Sequence, residues 1–241
     1  MARKSGPLLE AALNGDRRHP ATPRTRGDIA AQAATAVAAG AAAVHLHVFD
    51  EGRQTLEAGP CAQTLRTVRA ACPGIPISLS TSAEIESDPL RRLALVGEWT
   101  EFPDLVSANQ GEAGIVELCE LLLAHGVGIE AGLLSLADAR RFVATGLAAR
   151  CVRVLVEPLD ADPDAAVAHA EAIEDVVVRA GITLEQVHHG DGIASWAVNR
   201  RAVARGHGIR TGLEDTPVLP DGRQARDNAE LVAVAAQLLR G

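Results

Sequence analysis

The chain has 241 residues, of which 47% are hydrophobic, with no Tyr and three Phe, so its core must be packed from Ala, Val, Leu and Ile. Its 23 basic and 31 acidic side chains leave a formal charge of −8 with no basic patch interleaved with aromatics, which argues against nucleic acid as a partner. No apolar run approaches the ~18 residues of a membrane span, and Met1-Ala-Arg-Lys leads into a strand-like segment instead of a signal peptide, so no membrane partner and a cytoplasmic location are expected.

In chain order, Leu8 to Leu13 (LLEAAL) reads as a first strand that breaks at Asn14-Gly15. A Pro-containing loop and a helix from Asp28 to Ala39, closed by Gly40, follow it. Ala42 to Phe49 is the second strand, backed by a helix from Pro60 to Ala71. Ile75 to Ser80 is the third, ending in Thr81 and Ser82, and Pro89 opens the next helix, which runs to Gly97. Asp104 to Asn109 is the fourth, with its helix from Glu112 to Ala124. Val127 to Leu134 is the fifth, and Ser135 caps a helix reaching Thr145. Val152 to Glu157 is the sixth, before an Ala-rich helix from Asp164 to Ala180. Val187 to Gly192 is the seventh, with a helix from Ile193 to Arg205, and Ile209 to Asp215 is the eighth, with a last helix from Ala225 to Leu239.

Repeated strand–helix alternation implies a parallel sheet, and eight units over this length favour a closed (β/α)8 TIM barrel, one domain over residues 1–241. Neither a Gly-x-Gly-x-x-Gly after the first strand nor a Walker sequence is present to argue for an open doubly wound sheet. Cys61, Cys72, Cys119 and Cys151 are scattered without any Cys-x-x-Cys and are expected as free thiols. Lys4, in the polar N-terminal tail, is the only lysine, so Schiff-base chemistry has no interior amine to use.

In such a barrel the chemistry belongs at the C-terminal ends of the strands. Those ends carry Asn14 and Arg17, then His45, His47 and Asp50, then Ser80, Thr81 and Ser82, then Ser107 and Asn109. Glu130, Glu157, His189, Asp191, Arg210, Glu214 and Asp215 continue the ring. Strand ends are polar partly because they meet water, but that does not explain so many titratable groups.

Within Val44-His45-Leu46-His47-Val48 the period of two puts both imidazoles on one side, roughly 6–7 Å apart along the strand. That spacing lets them share a metal ion; two hydrogen-bonded histidines with no metal are the competing reading. Glu214, on the face of Arg210 and Gly212, can approach them from the eighth strand. Two His and one carboxylate are a ligand set typical of catalytic zinc, although other divalent metals fit it too. Asp215 directly follows Glu214, so for both to face inward the strand must end or bulge there.

The stretches LLEAALNG, AAVHLHVFD, ISLSTS, SANQ, GVGIEAGL, VLVEP and IRTGLEDTPVLPDGRQARDNAELV resemble the β-keto acid cleavage enzymes, the family known for 3-keto-5-aminohexanoate cleavage. The resemblance covers nearly the whole chain and implies a zinc-dependent (β/α)8 barrel that converts a β-keto acid and acetyl-CoA into acetoacetate and a new acyl-CoA. Carried over by position, His45, His47 and Glu214 are the zinc ligands, and Asp215, oriented by Arg210, is the general base. Ser80 holds the substrate carboxylate, Ser107 stands where Thr is common, Asn109 is retained, and Glu130 matches an acid on the fifth strand. Thr81 and Arg17 complete the expected substrate contacts, and a homodimer or homotetramer is expected.

There are departures from the family's pattern. Arg17, beside Asp16, stands where relatives often carry an acid, which implies a neutral or anionic substrate tail instead of the cationic aminohexanoate. Phe49 replaces an arginine, and Ser82-Ala83 a glycine pair. Gly190, Gly192, Gly206 and Gly208 lie around strands seven and eight, where barrels often bind phosphate, a feature that can serve CoA. A metal-dependent lyase or aldolase that needs no CoA, and a non-catalytic barrel, are the alternatives.

Overall fold

The computed structural model describes residues 6–241, and Lys4 lies outside the described residues. In chain order the strands are β1 (Leu9–Ala12), β2 (Ala43–Leu46), β3 (Phe49–Asp50), β4 (Arg53–Gln54), β5 (Ile77–Ser80), β6 (Leu105–Asn109), β7 (Gly128–Leu133), β8 (Arg153–Val156), β9 (Glu185–His188) and β10 (Gly208–Thr211). The helices are α1 (Arg26–Ala39), α2 (Ala58–Ala71), α3 (Pro89–Gly97), α4 (Ile115–Ala124), α5 (Leu136–Thr145), α6 (Pro163–Arg179), α7 (Ala194–Ala204) and α8 (Asn228–Leu238). All strands except β3 and β4 join one closed parallel barrel in the order β1-β10-β9-β8-β7-β6-β5-β2, the (β/α)8 barrel expected from the sequence.

The barrel strands are buried almost throughout, as a parallel sheet covered by helices requires. Between sheet and helices the core is aliphatic, and the few large rings, Phe142 and Trp196 among them, are buried in it. Side-chain caps set the helix starts: Thr25 on Asp28 N, Ser135 on Asp138 N and Asp162 on Ala165 N. The four cysteines are buried and free. No helix of the described residues is long and apolar enough to cross a membrane.

Most boundaries shift from the expected ones by one to three residues, and three strands differ in ways that shape the site. The second strand stops at Leu46, because the Asn14 side chain takes over its pairing: Asn14 Oδ1 accepts from His47 N at 2.8 Å and Asn14 Nδ2 donates to His47 O at 3.0 Å. Phe49 instead begins a small antiparallel hairpin, β3–β4, turned at Glu51 and Gly52 with φ of 46° and 78°. The seventh strand is shifted toward the N-terminus, running from Glu185, in register with Arg153 of β8, to His188 and not to Gly192.

The eighth strand ends at Thr211 and not at Asp215. Gly212 has φ +159°, and a Cβ there would lie 1.9 Å from Ala12 O, so only glycine allows the chain to turn against β1. The turn is closed by Asp215 N donating to Gly212 O at 3.0 Å. Because Glu214 and Asp215 sit on a turn, both reach the interior, which strand parity alone forbids.

Candidate active site

The register of β1, β2 and β5 aligns Ala12 with His45 and His45 with Ser78, which sets the histidines at the C-terminal end of the barrel. Both rings are buried, with centroids 5.5 Å apart and planes nearly perpendicular. His45 Nε2 and His47 Nε2 each lie 3.5 Å from the same oxygen of Glu214, Oε1. Gly15, with φ +111°, faces Glu214: a Cβ there would sit 3.0 Å from Glu214 Cγ.

The other ring nitrogens are engaged elsewhere. His47 Nδ1 bonds Gln54 Oε1, an atom that only accepts, so the proton is on Nδ1 and the lone pair on Nε2. His45 Nδ1 lies 3.2 Å from Ser78 Oγ, and that hydroxyl donates to Glu130 Oε2 at 2.5 Å. Its one proton committed to Glu130, Ser78 accepts from His45 Nδ1–H, and again Nε2 is left bare. Burial pushes the His45 imidazole down to about 3, against the pull of Glu214. Burial also acts to lower His47, but Glu214 and Gln54 outweigh it and raise the ring above its ordinary value.

These three residues fit a metal ion. Their donor atoms lie within 4.8 Å of one another, and Glu214 Oε2 is buried with no hydrogen-bond partner among the described residues. Metal–ligand bonds of about 2.0–2.2 Å at tetrahedral angles place neighbouring donors roughly 3.3–3.6 Å apart, which the 3.5 Å separations match. Burial opposes ionisation of Glu214, yet His45, Arg210 and His47 hold its carboxyl well below the ordinary range.

Arg210, on β10, anchors the acids around this group. Its Nη2 lies 2.7 Å from Asp215 Oδ1, 3.1 Å from Glu214 Oε1 and 3.8 Å from Glu157 Oε1. His189, fully buried, completes a ring: Nδ1 is 3.4 Å from Asp215 Oδ1 and Nε2 is 3.4 Å from Glu157 Oε2. Burial pushes Asp215 up, but Arg210 and His189 outweigh it and lower the carboxyl. For Glu157 burial prevails over His189 and Arg210, and the carboxyl is raised.

A cavity of about 600 Å³ opens over this group, lined by His45, His47, Glu214, Arg210, Glu157 and, across from them, Ser80, Ser107 and Asn109. Asn109 Nδ2 donates to Glu112 Oε1 at 3.1 Å. Arg17 also lines the cavity, held by Glu214 O at 3.1 Å and ion-paired to Asp191. Leu134 and Leu159 add apolar wall.

A family model described as β-keto acid cleavage enzyme matches residues 8–241. The chain belongs to that family. It is 26% identical over 258 residues, 97% of this chain and 91% of the relative, to a 3-keto-5-aminohexanoate cleavage enzyme of Fusobacterium nucleatum subsp. nucleatum. Among solved structures it shares its fold with ObcA in a binary complex with oxaloacetate, at TM-score 0.73 and 20% identity over 93% of this chain. A ternary complex of ObcA with a C4-CoA adduct and oxalate gives TM-score 0.75 and 18% identity over 93% of this chain. This chain spans 64% and 65% of those two ObcA chains.

Within this member of the family, the residues expected at the site do not all reach the cavity. Thr81 is 1% exposed and off the cavity wall; its hydroxyl donates to Ser107 O at 3.1 Å. Glu130 lies deeper, fully buried against Ser78 and 3.4 Å from Arg153 Nη1, so it touches His45 through Ser78 and not a bound molecule. Asp215 adjoins the wall through Arg210 and Glu214 instead of lining it. Of the glycines, Gly208 opens β10 and Gly206 precedes it, so both lie at the opposite end of the barrel from the cavity.

Other residues escaped the sequence reading. Ser78 was detectable, since it shares strand parity with Ser80; Gln54 was not, because a two-residue strand shows no period. Glu10 is a lone acid inside LLEAAL, fully buried beside Arg210 in register, with both oxygens unpartnered. Burial and then Glu130 push its carboxyl up to about 8. A second histidine group, Glu174, His188 and His207, lies outside the cavity. Its carboxylate is taken by Arg201 at 2.7 Å and Arg205 at 2.8 Å, which makes it an ion-pair node.

Proposed function

We propose that this chain is a metal-dependent acyltransferase that exchanges the acyl groups of a β-keto acid and acetyl-CoA, giving acetoacetate and a new acyl-CoA. The observation that carries the reading is the convergence of His45 Nε2, His47 Nε2 and Glu214 Oε1 beside the Arg210–Asp215 pair on one cavity. His45, His47 and Glu214 hold zinc or another divalent cation, which when bound supplies Lewis-acid stabilisation of negative charge on the substrate's keto oxygen. ObcA, whose fold the chain shares, binds oxaloacetate, an acid with its ketone β to a carboxylate, and a CoA adduct, in line with that substrate pair.

The chain's own groups then have defined tasks. Asp215 is the base for the carbon between the ketone and the carboxylate; because it adjoins the wall behind Arg210 and Glu214, this role requires the substrate to reach its carboxylate between those two side chains. Its Oδ1 is tied to Arg210, while Oδ2 is buried without a partner among the described residues and is the free basic atom. Arg210 keeps its charge because, against the effect of burial, Asp215, Glu214 and Glu157 surround it. Ser80, Ser107 and Asn109 present hydroxyl and amide groups to the substrate carboxylate and its neighbours. In the net exchange the carbon–carbon bond beside the ketone breaks, its two-carbon carboxylate part leaves with the acetyl group as acetoacetate, and CoA takes the original acyl group. No described residue is a lysine, so charge stabilisation and not imine formation serves this cleavage.

We infer a narrower tail preference than Arg17 alone implied. Its guanidinium is answered by Asp191, and Glu112 by Arg92 at 2.6 Å, while Asp16, bonded to Gln54, and Glu84 add acids to the wall beside two leucines. In this reading a neutral tail fits better than an anionic one, and Arg17 opposes a cationic one. Four buried free thiols suit a reducing, cytoplasmic setting.

Acetyl-CoA labelled in its acetyl carbons tests the reading. Label is expected in acetoacetate, formed only when β-keto acid and acetyl-CoA are both present. Cleavage at full rate without acetyl-CoA would establish a CoA-independent lyase instead.

A further inference from the structure

His189 is fully buried, yet among the described residues neither ring nitrogen makes a well-formed hydrogen bond. A buried polar ring without partners is costly, so its surroundings must use it. Each nitrogen lies near a carboxylate: Nδ1 is 3.4 Å from Asp215 Oδ1 and Nε2 is 3.4 Å from Glu157 Oε2. Asp215 Oδ1 is also the oxygen that Arg210 holds at 2.7 Å, and Glu157 lies 3.8 Å from the same Arg210 nitrogen. The four side chains form a closed ring, and only Glu157 and Arg210 of the four reach the cavity wall.

We propose that His189 is a positioning residue for Asp215: with Arg210 it pins Oδ1, which fixes the carboxylate's rotation and reserves Oδ2 for proton abstraction. This rests on the functional reading above. Two anchors on one oxygen define the plane of a carboxylate, whereas Arg210 alone leaves it free to swing about that contact. The arrangement specifies a tautomer. Nδ1 carries the proton toward Asp215, Nε2 is the acceptor, and Glu157 supplies a proton to Nε2. Burial raises the Glu157 carboxyl, in the direction this needs. His189 touches no bound molecule in this scheme and acts through Asp215.

The test compares His189→Ala and His189→Gln with the wild type in acetoacetate formation, metal content and thermal unfolding. His189→Ala is expected to lower kcat about 10- to 100-fold, with KM for the β-keto acid within about threefold and metal content unchanged. His189→Gln, whose amide has both a donor and an acceptor, is expected to recover most of kcat, and added imidazole to restore part of the alanine variant's rate. An alanine variant as fast as wild type, or a loss that neither glutamine nor imidazole restores, overturns the proposal. If the alanine variant does not fold, His189→Asn, one carbon shorter than glutamine, is expected to fall well below His189→Gln, and equal rates overturn it. Long-range 15N–1H correlation on the resting wild type reads the His189 tautomer without any turnover. Protonated Nδ1 is expected, and protonated Nε2 with bare Nδ1 overturns the proposal. A wild type with that tautomer but no acetoacetate would instead count against the functional reading.

Discussion

Ser78 Oγ lies 3.2 Å from His45 Nδ1 while it donates to Glu130 at 2.5 Å, so one hydroxyl fixes both the tautomer and the orientation of an imidazole proposed as a metal ligand. Ser78→Ala removes that support and leaves a buried Nδ1–H and a buried carboxylate oxygen without partners. Partners of metal ligands commonly account for 10–100-fold in metal affinity, and a loss of about that size is expected in chelator competition. Unchanged affinity would show that His45 is held by packing alone.

Asp215 and Arg210 separate chemistry from metal binding. Asp215→Asn keeps the shape and the contact with Arg210 but removes the basic oxygen, so kcat is expected to fall about 10²–10⁴-fold. Metal content should stay stoichiometric, because Glu214 and both histidines are intact. Metal analysis beside steady-state kinetics checks both, and an active Asp215→Asn enzyme would move the base elsewhere on the rim.

How much of this site was legible in the sequence depends on where each residue sits. His45 and His47 were readable because β2 carries a strict period of two through them. Glu214 was readable from the face it shares with Arg210, and Asp215 directly after it required the strand to end or bulge, but that the turn falls at Gly212 against β1 was not readable. Glu130 was placed at the rim although it lies beneath it. Parity shows that Glu130 faces the interior, but its depth follows from the barrel's stagger, which pairs it with Ser107 on one side and Arg153 on the other. The eight strand–helix units were legible throughout, because Ala-, Val- and Leu-rich strands alternate with capped helices.

The Arg17–Asp191 pair sets the expectation for substrate choice. With its charge compensated, Arg17 is not free to bind an anionic tail. A β-keto acid with a short neutral tail is expected to show a higher kcat/KM than analogues of similar size ending in an ammonium or a carboxylate. Arg17→Ala leaves Asp191 uncompensated at the cavity and is expected to shift preference toward the ammonium analogue. Equal kcat/KM for all three tails would remove Arg17 and Asp191 from the specificity question.

Glu174 makes stability depend on pH in a defined direction. Burial pushes its carboxyl up, but His207, Arg205 and Arg201 outweigh it and bring it down to about 2. A carboxyl lowered on folding stabilises the fold above its unfolded value near 4.5, and that contribution fades as pH falls toward about 2. Glu174→Gln is expected to cost about 2 kcal/mol at pH 7, a Tm fall of roughly 4–8 °C in a domain of this size. The gap between variant and wild type should narrow below about pH 4. A gap that is constant or widens toward acid pH would contradict this role for the carboxylate.

The most direct measurement is metal content and acetoacetate formation on the same preparation, wild type beside His45→Ala, with a β-keto acid and acetyl-CoA supplied. The wild type is expected to hold one divalent ion per chain, to form acetoacetate and acyl-CoA in equal amounts, and to lose activity on chelation and regain it on readdition of zinc. His45→Ala is expected to lack both the ion and the activity. A wild type that forms acetoacetate without a bound metal, or a His45→Ala variant that keeps its ion, would contradict the assignment of His45, His47 and Glu214 as the metal centre of this enzyme.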